Sequence, residues 1–286
     1  MTPKLALQYL APHRLLSRLV YRATRWRLRP WKNFLINQIV RRYGVDLAEA
    51  TQPDRYAYAN FNAFFTRALK PGARHFDESP GKLVSPADGC ISQVGSIRDG
   101  RILQAKHHDY GAAELLADRA SAAAYRGGVF VTIYLAPPDY HRVHMPLAGT
   151  LVETCHVPGR LFSVAPFTVA AIPRLFARNE RLACHFVGAD GPFVVVLVGA
   201  MLVSSVTTSW GGLTIPPHAA QVCRTDYRDR PVRLAQGAEL GRFNMGSTVI
   251  VLLPAGAVRL DRRLEANCKV LVGEPIGSLT GRAAIN

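Results

Sequence analysis

Between His13 and Arg29 apolar residues return every three or four positions, as Leu15, Leu16, Leu19, Val20, Ala23 and Trp26. Arg14, Arg18, Arg22, Arg25 and Arg29 form an adjoining stripe, and the spacing predicts a basic amphipathic helix. Pro30 lacks an amide proton and disfavours helix in the residue before it, so it is expected to end that helix, with Phe34 to Tyr43 forming a second, shorter one. Phe61 to Leu69 reads as another short helix, closed by Pro71-Gly72. Beyond it the texture changes. Leu83-Val84, Val129 to Leu135, Phe193 to Val198 and Val249 to Leu253 are short β-branched or aromatic runs bounded by Gly and Pro, and they predict strands. Phe162 to Ala177 reads as one inserted helix or an irregular loop. The pattern is that of an α+β chain: a helical layer over residues 1–50, then a β-rich body over residues 51–286.

Charge sharpens this division. The chain of 286 residues carries 35 Lys and Arg against 20 Asp and Glu, a surface that attracts phosphate-rich partners such as lipid or nucleic acid. The excess is concentrated at the start: Lys4, Arg14, Arg18, Arg22, Arg25, Arg27, Arg29, Lys32, Arg41 and Arg42 fall before Gly44, with no acidic residue among them. A basic amphipathic helix can lie on an anionic bilayer with its apolar side in and its arginines at the head groups. No recognisable nucleic-acid module accompanies the charge, which favours lipid over nucleic acid. Cys90, Cys155, Cys184, Cys223 and Cys268 are odd in number and form no C-x-x-C pair, so neither a disulfide framework nor a zinc ribbon is expected. No run approaches the roughly 18 apolar residues of a spanning helix, and no signal peptide opens the chain; a soluble or peripheral protein is expected.

Three clusters carry chemistry. Ser85-Pro86-Ala87-Asp88-Gly89 places an aspartate at a strand-to-turn boundary, where by itself it reads as an ordinary turn. The block Tyr134 to Pro146, with Asp139, His141, Arg142 and His144 inside it, directly follows a strong strand, and so many polar groups beside a β core suggest acid-base work, since a neutral imidazole can take a hydroxyl proton near neutral pH. No further His, Cys or carboxylate completes a metal-ligand pattern there, so no metal is expected. Phe243-Asn244-Met245-Gly246-Ser247-Thr248 leads into a strand; glycine permits a strained backbone and leaves its carbonyl open to the Ser247 hydroxyl. The remaining histidines, His75, His107, His108, His156, His185 and His218, show no partner in the sequence. An aspartate, a histidine and a serine have the composition of a triad. Two outcomes stay open: a hydrolase attacking a foreign acyl group, although no Gly-x-Ser-x-Gly elbow is present, or a chain attacking its own preceding peptide bond.

These clusters, together with Phe64-Phe-Thr-Arg-Ala-Leu-Lys-Pro-Gly-Ala-Arg74, Pro158 to Val164 and Leu175 to Arg181, resemble the phosphatidylserine decarboxylase family along nearly the whole chain. In bacterial relatives Leu often precedes Gly-Ser-Thr; here Met245 stands before Gly246-Ser247-Thr248. The resemblance implies that Asp88, His144 and Ser247 form a self-cleavage triad, with Ser247 the nucleophile, His144 its base and Asp88 orienting the imidazole. Cleavage at Gly246-Ser247 would give a β chain of residues 1–246 and an α chain of residues 247–286. Ser247 would become a covalent pyruvoyl group, the only cofactor, and form a Schiff base with the amine of phosphatidylserine. By the same resemblance His141, supported by Asp139, serves the decarboxylation. Phosphatidylserine, an anionic membrane surface and further copies of the chain are the expected partners, at the cytoplasmic face of the cell membrane. The rival readings are a pyruvoyl decarboxylase of a soluble amino acid, a serine hydrolase and a non-catalytic binding protein.

Overall fold

A computed structural model describes residues 2–77, 79, 81–201, 205–216 and 218–281. The chain opens with three helices, α1 (Pro3–Leu10), α2 (His13–Ala23) and α3 (Arg29–Tyr43), and a fourth, short one, α4 (Phe61–Phe65). Pro30 does the reverse of what the sequence suggests. It sits in the first turn of α3, where the missing amide proton would have had no partner, and its fixed φ favours helix entry. The break comes earlier, where the Thr24 amide and hydroxyl both return to the Val20 carbonyl, at 2.9 and 2.7 Å. Helix α3 is therefore the longest of the three, and Gly44, at φ 64°, closes it. Helix α4 stops at Phe65, short of the expected Leu69, and Leu69 pairs instead with Ala50. Pro166–Val169 and Leu175–Arg178 are two short helices where one insertion was expected.

The body is sheet. Its central sheet runs, edge to edge, Cys223–Asp226, Gly149–Val157, Arg181–Gly188, Gly191–Val198, Ser247–Leu253, Val129–Leu135, Gly89–Ser96 and Lys269–Val270, with Val232–Leu234 also pairing to Gly149–Val157. All its pairings are antiparallel. Ser247–Leu253 lies inside this order, buried at every position, and pairs Ser247 with Leu135 on one side and Thr248 with Val198 on the other. A sheet of four strands, in the order Gly212–Ile215, Val206–Thr208, Glu239–Phe243 and Arg142–His144, abuts it. His144 and Ser247 thus stand on different sheets, joined by the short link from Phe243 to Ser247.

The helical layer faces outward with its apolar side. In α2 the buried residues are His13 and Ser17, whereas Leu15 and Leu19 are 56% and 54% exposed. Leu7 and Leu10 of α1, Trp26 and Leu28 of the link after α2, and Phe34 of α3 are likewise exposed. The inward polar side is tied to the body: Gln8 Oε1 accepts the Ser163 amide at 2.9 Å, Arg160 donates to the Tyr9 carbonyl at 2.7 Å, and the His13 ring meets Phe162 edge-on. From the other end, Ile36 of α3 packs with Val45, Tyr58, Phe61, Phe64 and Phe65 in a second core of their own. Among the described residues no helix is long and apolar enough to cross a membrane.

The central strand is the part of the fold least able to relax. Ile250 is fully buried between two paired strands, so Ile250→Ala should destabilise by about 2–5 kcal/mol, seen as a lower urea midpoint at unchanged slope.

Candidate active site

Ser247 is the first residue of its strand, fully buried, and its Oγ has no hydrogen-bond partner among the described residues. An orphaned buried hydroxyl costs about 1–3 kcal/mol, and at such a position it invites a chemical explanation. The segment before it is held firmly. Asn244 donates its amide to Ser205 O at 3.0 Å and its side-chain nitrogen to Thr207 Oγ1 at 3.1 Å, while Asn62 donates to Asn244 Oδ1 at 3.1 Å. Between this anchor and the strand, Met245 takes φ 149°, a region that favours glycine and costs a side-chain-bearing residue about 1–3 kcal/mol. The strain expected at Gly246 is therefore stored one residue earlier, directly before the Gly246-Ser247 bond.

His141 faces that bond. A side chain placed on Gly246 would come within 4.0 Å of His141 Nε2 and 3.8 Å of the Leu135 carbonyl. The tautomer follows from the other nitrogen: Nδ1 lies 2.7 Å from the Asp139 carbonyl, which can only accept, so Nδ1 carries the proton and Nε2 presents a lone pair. That Nε2 is buried and unpartnered. The ring lies against Phe65, with centroids 4.1 Å apart, and burial lowers its pKa to about 3, so the imidazole is a neutral base. The Phe243 amide donates to the His141 carbonyl at 3.0 Å, which fixes the histidine to the strand leading to the serine.

His144 and Asp88 occupy one neighbourhood, since the His144 amide donates to the Pro86 carbonyl at 2.8 Å. Their side chains are engaged elsewhere. His144 Nδ1–H donates to the Gly237 carbonyl at 2.7 Å, which leaves Nε2 to accept the Tyr140 hydroxyl at 3.0 Å. Burial lowers its pKa too. Asp88 accepts from Arg74, with Nη2 at 2.6 Å and Nε at 3.0 Å, and from the Val272 amide at 2.9 Å; Arg74 reaches Glu49 with its other arm at 2.8 Å. No hydrogen bond joins Asp88 to His144, or either to Ser247, among the described residues. Asp139 accepts the Ala136 amide at 2.7 Å, and burial raises its pKa. Sequence reading missed Arg74, Tyr140 and Phe65 as parts of this site, although Tyr140 lies inside the second cluster. It also missed that His156 and His218 both bind the buried Glu180 carboxylate, at 2.9 and 2.6 Å.

A cavity of about 260 Å³ opens beside the bond, lined by Tyr134, Leu135, Met245 and Gly246 together with Ile39 of α3 and Phe65. It links the reactive bond to the helical layer. A hydrolase must present its serine to an incoming acyl group; this one is sealed in a sheet against its own preceding carbonyl. The fold and site are those of a chain that reacts with itself, and the serine-hydrolase reading lapses. A family model described as phosphatidylserine decarboxylase matches residues 61–278, and a second, described as PSD, matches residues 3–44. The chain is 57% identical over 272 residues to a phosphatidylserine decarboxylase proenzyme of Xanthomonas euvesicatoria pv. vesicatoria, covering 95% of this chain and 97% of that protein. It is 52% identical over 280 residues to the proenzyme of the same name from Xylella fastidiosa, covering 98% and 94% of the two. The chain belongs to the phosphatidylserine decarboxylase family.

His141 gives the site a stability signature. Its pKa is lowered on folding, so the unfolded chain binds the extra proton: the contribution is complete above the ordinary value of 6.5 and is lost as pH falls from there towards about 3. Denaturant midpoints should therefore fall between pH 6.5 and 4, and fall less steeply in His141→Gln.

Proposed function

We propose that this chain cuts itself between Gly246 and Ser247 and, once cut, decarboxylates phosphatidylserine to phosphatidylethanolamine at a membrane surface. One observation carries the reading: a buried, unpartnered Ser247 Oγ beside its own strained backbone, in a chain of this family. Ser247 Oγ attacks the Gly246 carbonyl carbon, forming a C–O bond as the peptide C–N bond breaks. Loss of the Ser247 α-proton then breaks the Cβ–Oγ bond and releases Gly246 as the carboxylate end of the 1–246 chain. Water replaces the nitrogen left on residue 247, ammonia departs, and a ketone heads the 247–286 chain, whose last five residues lie outside those described.

The surroundings fit such a group. Position 247 is fully buried, its hydroxyl carries no hydrogen bond among the described residues, and it lies beside the neutral His141 base. The pyruvoyl group supplies an electrophile for the substrate amine and an electron sink for the bond to departing carbon dioxide. The chain's own groups do the rest. His144 and Asp88 serve the cleavage: the His144 Nε2 lone pair takes the serine proton, with the Tyr140 hydroxyl as the group it must displace or use as a relay, and Asp88 steadies this corner through Arg74. His141, locked on the Asp139 carbonyl, holds or delivers a proton where carbon dioxide leaves. A second assignment is favoured by the unpartnered His141 Nε2 near Gly246: His141 takes the serine proton in the cleavage as well.

The helical layer supports the membrane half of the proposal. Leucines and aromatics on and between α1 to α3 are exposed, and basic residues with no acidic one among them are interspersed, although Lys32 is buried on the Tyr56 carbonyl. A decarboxylase of a soluble amino acid would have no use for this face. We assign the chain a peripheral place on the anionic cytoplasmic leaflet.

Ser247→Ala should remain one chain and release no carbon dioxide from phosphatidylserine. His144→Ala should stay uncut while His141→Ala is cut but inactive; the reverse pattern assigns the cleavage to His141. Leu15→Glu with Leu19→Glu should lower binding to anionic vesicles by about tenfold or more, as expected for two apolar side chains withdrawn from the interface. Undiminished flotation would remove α2 from the membrane contact.

A further inference from the structure

The chain holds a buried cation that neither reaction described above uses. Arg67 is 6% exposed, and among the described residues its guanidinium makes a single hydrogen bond, from Nη2 to the Pro138 carbonyl at 2.9 Å. Its Nε is buried with no partner. The carboxylates near it are otherwise engaged: Asp88 is held by Arg74 and the Val272 amide, and Asp139 accepts the Ala136 amide. No ion pair to Arg67 occurs among the described residues. A buried guanidinium stays charged, and the attraction of Asp88 and Asp139 reaches it without a hydrogen bond from either, so the position suits an anion that arrives from outside.

The room for that anion is present. Arg67 lines a cavity of about 510 Å³ with Tyr134, Tyr140 and the cations Arg74 and Lys269; the carboxylates Asp46, Glu49, Asp88 and Asp139 also line it, Glu49 and Asp88 being paired with Arg74. Tyr134 is also a wall of the cavity at Gly246, so the two spaces adjoin across one side chain. Arg67 is close enough to His141 for its charge to oppose protonation of that imidazole. A ligand reaching from Arg67 towards residue 247 would pass the Asp139 to His141 strap.

We propose that Arg67 binds the phosphodiester of the phospholipid head group and so sets the distance of the substrate amine from residue 247. This rests on the decarboxylase reading above. Phosphatidylserine offers two anions, and the chemistry separates them. The carboxylate loses its charge as carbon dioxide forms, so a guanidinium holding it would stabilise the ground state over the transition state. The phosphodiester keeps its charge throughout. An ion pair to it is binding common to both states, and its loss shows in KM and not in kcat.

The test uses purified full-length wild type, Arg67→Gln and Arg67→Lys, with dihexanoyl phosphatidylserine as substrate. Dihexanoyl phosphatidylethanolamine, which keeps the phosphodiester but lacks the carboxylate, serves as inhibitor. Each sample is normalised to its content of the 247–286 fragment, since self-cleavage involves no lipid and reports the fold. Arg67→Gln should raise KM by about tenfold or more, leave kcat per cleaved site within about threefold, and weaken inhibition by phosphatidylethanolamine as much as it raises KM. Arg67→Lys, which keeps the charge and loses the planar fork, should fall between the two. A KM within about twofold of wild type in Arg67→Gln overturns the assignment, and so does a loss confined to kcat. A raised KM with unchanged inhibition by phosphatidylethanolamine moves Arg67 to the carboxylate. Two uncut variants reassign it to holding the Pro138 strap. Wild type that is cut yet releases no carbon dioxide defeats the decarboxylase reading itself, and is told apart by requiring no variant.

Discussion

The Ser247 hydroxyl is shut inside an antiparallel sheet with no hydrogen-bond partner among the described residues. A free hydroxyl would turn to water, and a buried one would be expected to find a carbonyl. Here the pairing of Ser247 with Leu135 and of Thr248 with Val198 draws the strand in from both sides, and seven successive buried residues hold it there. The pairing and burial of the strand offset the unmet hydrogen bond. The strained φ at Met245 and the anchored Asn244 bring the Gly246 carbonyl to the same place. On the proposed reading, reactivity at this bond is a property of the sheet as a whole, with the histidines acting on a backbone already positioned.

Around that bond the two sheets divide the labour. The central sheet supplies the serine, and the smaller one supplies His144 from its edge strand, with the Asp139 to His141 strap crossing between them. Burial favours the neutral form of both imidazoles, and a backbone carbonyl on each Nδ1 fixes the tautomer, so each Nε2 presents a lone pair within three residues of the other. The helical layer adds a second constraint. Because His13 and Ser17 of α2 face the body, the leucines are forced outward, and the cavity beside Gly246, walled by Ile39 of α3, adjoins this layer.

Much of this was legible in the chain, and the misses have physical causes. Runs such as Val129–Leu135 betray themselves as strands because both faces are buried and β-branched residues fill them. Strands such as Arg181–Gly188, with Arg, Cys and His among apolar residues, carry no such signal, since their pairing is decided by distant neighbours. Pro30 misled because a proline ends one helix and begins another with equal ease; only the Thr24 cap decides which. The family pattern singled out Asp88, His141, His144 and Ser247, yet it could not show that Asp88 is clasped by Arg74 or that the His141 ring comes close to Gly246. Those facts depend on side chains brought from far along the sequence.

The most direct measurement is the intact mass of the purified wild-type protein. Two chains are expected, residues 1–246 with a free carboxylate at Gly246 and residues 247–286 carrying a ketone in place of the amine of residue 247, the latter reactive with borohydride and closed to Edman degradation. A single chain of full mass that nonetheless releases carbon dioxide from phosphatidylserine would contradict the account.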